Sequence, residues 1–175
     1  MAVKQIDIKQ FLAMSREHQV LDVRSPAEFS HAHIPGAYSL PLFTDAERKV
    51  VGTAYKQESR EKAIKVGLDY FGPKMRSMVE EVEALPGAKK TVLVHCWRGG
   101  MRSAGVAWLL DLYGFTVYTL VGGYKAFRRL ANETFAQDYA IRVIGGYTGS
   151  GKTAILQKLD RLGEPVIDLE GLANH

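Results

Sequence analysis

The sequence predicts an α/β fold built on a parallel sheet, and three observations carry that prediction. Short apolar runs recur at Val20-Leu21-Asp22-Val23, Thr91-Val92-Leu93-Val94-His95 and Val117-Tyr118-Thr119-Leu120-Val121, each of a length and β-branched content that suits a buried strand. Each is followed by a turn and then by residues with helical spacing, and repeated β-turn-α places successive strands parallel. The 175 residues, 46% of them hydrophobic and 24% charged, are enough for one full α/β core but short for two.

Taken in order, an amphipathic helix over Ile8 to Glu17 leads into the Val20 strand. Ser25-Pro26-Ala27-Glu28-Phe29 reads as a capped helix start with proline in its first turn, and Ile34-Pro35-Gly36-Ala37 punctuates before Tyr38-Ser39-Leu40. Residues 45–85 read as helical, with breaks expected at Gly52, Gly67 and Gly72-Pro73 and an end at Pro86-Gly87. Between residues 47 and 76, eight Lys and Arg face four Asp and Glu, which suits either a solvated helical face or a surface for a polyanion. After the Thr91 strand, Ser103 to Tyr113 is a helix stopped by Gly114. After the Val117 strand, Gly122-Gly123 turns the chain into a helix from Tyr124 to Leu130. A polar link near Thr134 to Asp138 sets a boundary between a first domain, 1–134, and a second, 135–175.

Composition near the soluble average argues against wholesale disorder, a disulfide scaffold or a fibrous repeat. A formal net charge of +4 permits an anionic partner without requiring one. A single cysteine, Cys96, excludes an intramolecular disulfide and a zinc site of several thiolates. With a charged N-terminus and no apolar run near the ~20 residues that span a bilayer, the sequence predicts a cytoplasmic protein that does not engage a membrane.

The chemistry centres on Cys96-Trp97-Arg98-Gly99-Gly100-Met101-Arg102-Ser103. A strand delivers a thiol into a glycine-bearing loop that opens a helix. Loop amides, the helix N-terminus and two guanidinium groups all favour an anion there. They also favour the thiolate, because an ordinary thiol of pKa about 8.5 is only a few per cent ionised at neutral pH. Cys96 is therefore the candidate nucleophile, and Trp97, Arg98, Gly99, Gly100, Met101 and Arg102 are candidates for binding an oxyanion. His95 is expected to be a packed or hydrogen-bonded strand-end group. Trp97 is either a stacking platform or a lid on the loop.

Asp22-Val23-Arg24, Glu28-Phe29, His33-Ile34-Pro35-Gly36-Ala37, the strand-Cys96-loop-helix unit and Gly122-Gly123-Tyr124 together resemble a rhodanese domain. The resemblance implies a five-stranded parallel sheet with helices on both faces, and Cys96 as carrier of a chalcogen. It further implies that Arg24 and Glu28 pair to brace the loops and that Asp22 lies near the active edge. Ordinary sulfurtransferase loops of that family resemble Cys-x4-Arg, whereas Cys96 to Arg102 reads Cys-x5-Arg. The longer loop is similar to that of phosphatases and arsenate reductases in the superfamily, which take tetrahedral oxyanions.

A second motif, Gly146-Tyr147-Thr148-Gly149-Ser150-Gly151-Lys152-Thr153, matches the phosphate-binding P-loop pattern between an expected strand, Ile141 to Ile144, and a helix, Ala154 to Leu162. Gly146, Gly149, Ser150 and Gly151 would cradle phosphates with their amides, Lys152 would reach the outer phosphates, and the Thr153 hydroxyl can contact Mg²⁺. Pro165 to Leu169 is expected as a further strand, with Asp168 a weaker candidate for a magnesium or substrate contact. The result is a truncated β-α-β piece rather than a whole nucleotide-binding sheet.

A rhodanese-like domain followed directly by a P-loop, with the stretches Glu47 to Gln57, Cys96 to Ser103 and Asp168 to His175, resembles the tRNA 2-selenouridine synthase family. That resemblance implies replacement of sulfur by selenium in wobble 2-thiouridine of tRNA, through S-geranyl-2-thiouridine. Selenophosphate and geranyl diphosphate are the implied co-substrates, with no tightly bound cofactor. The competing readings are a Cys-x5-Arg phosphatase, a rhodanese-type sulfurtransferase and an inactive tRNA-binding fragment.

Overall fold

The structure is a computed structural model that describes residues 3–85 and 90–173, so the expected break at Pro86-Gly87 and the last two residues of the Asp168 stretch lie outside the described residues. The chain forms two compact units, Met1–Ala136 and Gln137–His175.

In the first unit, five strands, β1 (Lys4–Ile6), β2 (Gln19–Asp22), β3 (Tyr38–Ser39), β4 (Thr91–His95) and β5 (Thr116–Leu120), lie in the order β1-β5-β4-β2-β3. All neighbours are parallel, as the β-turn-α pattern requires. Successive side chains of a strand point to opposite faces, and the core divides accordingly. Leu21, Val92, Val94 and Val117 join one apolar cluster, while Val20, Leu93 and Leu120 join the other. The first cluster is covered by α4 (Arg60–Phe71), α5 (Met75–Glu83) and α6 (Met101–Tyr113), through Phe71, Val82, Val106 and Leu110. The second is covered by α1 (Ile8–Met14) and α7 (Gly123–Phe135), through Phe11 and Tyr124.

Register places the chemistry. Leu21 lies opposite Val94 and Asp22 opposite His95, so the loops after β2 and β4 leave the sheet side by side at the carboxyl ends of the strands, where open α/β sheets carry their sites. The loop after β2 enters α2 (Pro26–His31), with Ser25 as N-cap and its N–H bonded to the Glu28 carboxylate at 3.2 Å.

Three expectations need correction. Gly52 and Gly67 do not break helices: α3 (Asp45–Gln57) and α4 run through them, and the chain breaks at Glu58-Ser59, where the Ser59 hydroxyl caps Lys62. A helical glycine costs only about 1 kcal/mol relative to alanine, and Gly67 is buried where a Cβ would stand 3.4 Å from the Phe43 ring. Strand β1, which the sequence reading omits, pairs along β5 at the sheet edge.

The third correction concerns the second unit, which contains α8 (Lys152–Arg161) and the short α9 (Leu169–Leu172). Residues 141–144 and 165–168 form no strand. A strand needs a neighbour to take its backbone bonds and a layer to cover its side chains. Here Ile141, Val143 and Ile167 are 72%, 86% and 68% exposed, so the piece is loop-helix-loop rather than β-α-β. No helix among the described residues is long and apolar enough to cross a membrane.

Candidate active site

Cys96 follows the last residue of β4 and is buried, 3% exposed. Its Sγ lies 3.2 Å from the Ser103 hydroxyl and accepts from the Gly100 N–H at 3.3 Å. Burial opposes ionisation, but the Ser103 hydroxyl and the amides of Ser103, Gly100 and Arg98 outweigh it and hold the thiol below its ordinary pKa. The Ser103 hydroxyl has one proton and two acceptors within reach, Sγ and the Gly100 carbonyl at 3.0 Å. Turning that proton from the carbonyl to the sulfur stabilises the thiolate without moving the backbone. Sequence reasoning singled out the residues around Cys96 but not Ser103 as a sulfur partner. Its place in the first turn of the helix opened by the loop was the available signal.

The loop is fixed from behind by the turn after β5. The first amides of α7 reach across, Tyr124 N–H to Cys96 O at 2.8 Å and Lys125 N–H to Trp97 O at 3.0 Å, so groups a helix start leaves unpaired are used to hold the thiol loop. The backbones touch. A Cβ on Gly123, where φ is +57°, would stand 2.3 Å from Cys96 O, and one on Gly99, where φ is +66°, would stand 2.5 Å from Leu120 O. Only glycine meets both demands.

The charged groups are arranged differently from the expectation. Arg24 does not pair with Glu28. It makes a buried pair with Asp22, Nη2 to Oδ2 at 2.6 Å, both side chains fully buried, and also bonds Ala32 O at 2.8 Å. Two residues apart at the strand end, Asp22 and Arg24 pair locally, with Arg24 Nη1 left buried and without a hydrogen bond among the described residues, and Glu28 is left for others. Its carboxylate receives Arg102 Nη1 at 2.6 Å and Arg48 Nε at 3.1 Å. Although burial raises it, Arg102, the Ser25 amide and Arg48 together hold the Glu28 pKa at about 2. The guanidiniums of Arg98 and Arg102 are therefore not what holds the sulfur: Arg102 is engaged by Glu28, and Arg98 is exposed. Met101, half exposed, opens α6.

His95 is fully buried between Phe11 and Tyr124, with neither ring nitrogen hydrogen-bonded. Burial pushes its pKa down to about 4, against the pull of Asp22 3.7 Å away, so it is a neutral packing group. Trp97 is half-buried against Tyr124, with ring centroids 5.6 Å apart, and the Arg24 guanidinium lies 4.0 Å over the Tyr124 ring.

In the second unit, Thr148, Gly149, Gly151, Lys152 and Thr153, with Glu170, line a cleft of about 350 Å³. Gly151 has φ +83° and caps α8, so the helix N-terminus opens into the cleft. Lys152 Nζ bonds the carbonyls of Gly146 and Tyr147 at 3.1 and 3.2 Å. Ser150 bonds back to Tyr147 O through its N–H. Asp168 caps α9 by accepting from Gly171 N–H at 3.0 Å.

The rhodanese-like domain model matches residues 7–130. The chain belongs to the rhodanese-like family. Beyond this domain, the model described as the tRNA 2-selenouridine synthase AAA domain matches residues 139–175. The rhodanese-like chain is 40% identical over 163 residues to a tRNA 2-selenouridine synthase of Pseudomonas putida strain F1, covering 89% of this chain and 42% of that one. It is 41% identical over 165 residues to one from a Sulfurovum species, covering 89% and 43%. The chain thus spans about two fifths of the length of these curated relatives. Among solved structures, the N-terminal domain of a proposed ATP/GTP binding protein from Clostridium difficile 630 superposes with a TM-score of 0.68 at 35% identity, over 74% of this chain and 98% of that one.

Proposed function

We propose that this chain carries the chalcogen-handling part of a tRNA 2-selenouridine synthase. It replaces sulfur by selenium in wobble 2-thiouridine of tRNA by way of S-geranyl-2-thiouridine, with selenophosphate as donor and Cys96 as nucleophile, in the cytoplasm, where a lone thiol stays reduced. The observation that carries the reading is the Cys96 thiol held below its ordinary pKa inside a loop of inward amides. The likeness to relatives named tRNA 2-selenouridine synthase along both units supports it.

Electron counting decides where the thiolate attacks. Attack on selenium would have to expel phosphite, a reduced phosphorus. Attack on phosphorus makes an S–P bond, breaks the P–Se bond and releases selenide with the electron pair. Selenide then displaces the geranyl-sulfur group at C2 of the uridine, which leaves as geranyl thiolate. Water cleaves the S–P bond to phosphate and returns the thiolate. The amides of the Trp97 to Arg102 loop, with Arg98 and the N–H groups of Arg102 that Glu28 leaves free, hold the phosphoryl oxygens.

In the second unit, Gly146, Gly149, Ser150, Gly151, Lys152 and Thr153 hold the diphosphate of geranyl diphosphate. Were a magnesium ion bound there, the Thr153 hydroxyl would help to hold it, and the ion would supply charge neutralisation of a diphosphate leaving group.

Mass spectrometry of the Cys96 peptide after acid quench of a selenophosphate incubation tests the reading. A phosphoryl adduct is expected. A selenium isotope pattern on Cys96 would move the attack to selenium, and an unmodified thiol, or a Cys96→Ser variant that converts S-geranyl-2-thiouridine at the normal rate, would overturn it. Steady hydrolysis of aryl phosphates would favour a phosphatase instead, and thiosulfate-to-cyanide activity a sulfurtransferase.

A further inference from the structure

The thiol loop must be brought to a tRNA, and two basic regions compete for its backbone. In the 47–76 segment, which sequence composition favours, three of the eight cations are already neutralised: Arg48 by Glu28, Lys74 by Glu47 and Arg76 by Glu80. The other five form no ion pair among the described residues, and neither do the cations of α7, which differ in belonging to the helix that is hydrogen-bonded to the thiol loop. Lys125, Arg128 and Arg129 are exposed and form no ion pair or hydrogen bond through their side chains among the described residues. At spacings of three and four they share one face, opposite the side on which Tyr124 and Ala126 are buried. Like charges at this spacing destabilise a helix. The one acidic side chain of α7, Glu133, forms no ion pair with them.

This face begins at the thiol loop. The amide of Lys125 itself is bonded to Trp97 O, and that of Tyr124 to Cys96 O. From Lys125 to Arg129 the helix rises about 6 Å, so three cations are presented over a short distance on the helix whose first amides hold the thiol loop.

We propose that the Lys125, Arg128 and Arg129 face of α7 is the surface on which the phosphodiester backbone of tRNA lies while the modified base reaches Cys96. The inference rests on the tRNA reading above and adds the surface that serves it.

Binding of unmodified tRNA to the whole chain across a salt series tests it. Neutralising three phosphate contacts through Lys125→Gln, Arg128→Gln and Arg129→Gln together is expected to weaken binding at least about tenfold and to flatten the slope of log K against log salt by about 2 to 3. Lys49→Gln, Lys62→Gln and Lys65→Gln together are expected to leave the slope near that of the parent. A charge-conserving variant, Lys125→Arg, Arg128→Lys and Arg129→Lys, keeps the slope if charge is what matters, and serves as the check should the glutamine variant lose its fold. An unchanged slope in the α7 glutamine variant, a flattened slope in the α3 and α4 variant alone, or a lost slope in the conserving variant overturns the proposal while leaving the tRNA reading standing. No salt-dependent binding by the parent chain overturns both.

Discussion

Glu28 accepts from Arg102 at 2.6 Å across 74 residues of sequence, and the same carboxylate oxygen takes Arg48 at 3.1 Å. One side chain thus ties the β2–α2 loop to the end of the thiol loop and to α3. It holds Arg102 with its geometry set, through both Nη1 and Nη2. Because Glu28 is only 15% exposed, this pair is screened less than a surface one.

Replacing Glu28 by Gln leaves Arg102 and Arg48 without their counter-charge and is expected to lower stability by roughly 2 kcal/mol at pH 7. The Glu28 pKa is lowered from 4.5 to about 2, so its contribution is whole above pH 4.5 and is lost as pH falls through 2. Urea melts of parent and variant should therefore converge below pH 4.5. A gap that stays constant to pH 2 contradicts the arrangement.

His95 titrates in the opposite sense from an ordinary paired histidine. Its pKa falls from 6.5 to about 4 because burial opposes charge, so the neutral ring stabilises the fold above pH 6.5 and that contribution is lost as pH drops through 4. Ring-carbon chemical shifts should show His95 still neutral at pH 5.5. A midpoint near 6.5 would mean the ring is solvated.

Ser103→Ala removes the hydroxyl beside Sγ while the amides remain. The Cys96 pKa is expected to rise, and alkylation by iodoacetamide at pH 7 to slow several-fold. Ser103→Thr, which keeps the hydroxyl, should recover most of the rate. Equal loss in both variants would point to packing alone.

Two glycines should respond in opposite directions to alanine. Gly123→Ala forces a Cβ to 2.3 Å from Cys96 O at positive φ and is expected to cost more than about 2 kcal/mol and to disturb thiol reactivity. Gly52→Ala, within α3 and with open space at its Cβ, is expected to stabilise by about 0.5–1 kcal/mol. Thermal unfolding of both variants measures the contrast.

The strands β2, β4 and β5 and the start of α2 were legible because each rests on a local signal, an apolar run or a capping serine with proline behind it. β1 was not, since three residues beginning Lys4-Gln5 show no apolar pattern and become a strand only by pairing with β5. Gly52 and Gly67 misled for the converse reason: packing against Phe43 carries Gly67 inside α4. Position in the loop pointed to Cys96, but its partners were harder to foresee. The resemblance to a rhodanese domain implied Arg24 as the partner of Glu28, but which cation meets it depends on the adjacency of β2 and β4, a tertiary fact, and that cation is Arg102. The expected strands of the second unit are largely exposed coil, and no strand among the described residues pairs with them.

The Ser103 hydroxyl and the loop amides hold the Cys96 thiol below its ordinary pKa. The rate of Cys96 alkylation by iodoacetamide as a function of pH measures that directly, since this is the one cysteine of the chain. The expected profile has its midpoint below the ordinary thiol value of about 8.5, with substantial reactivity at pH 7. A midpoint at or above that value, or a thiol inert across the whole range, would contradict it.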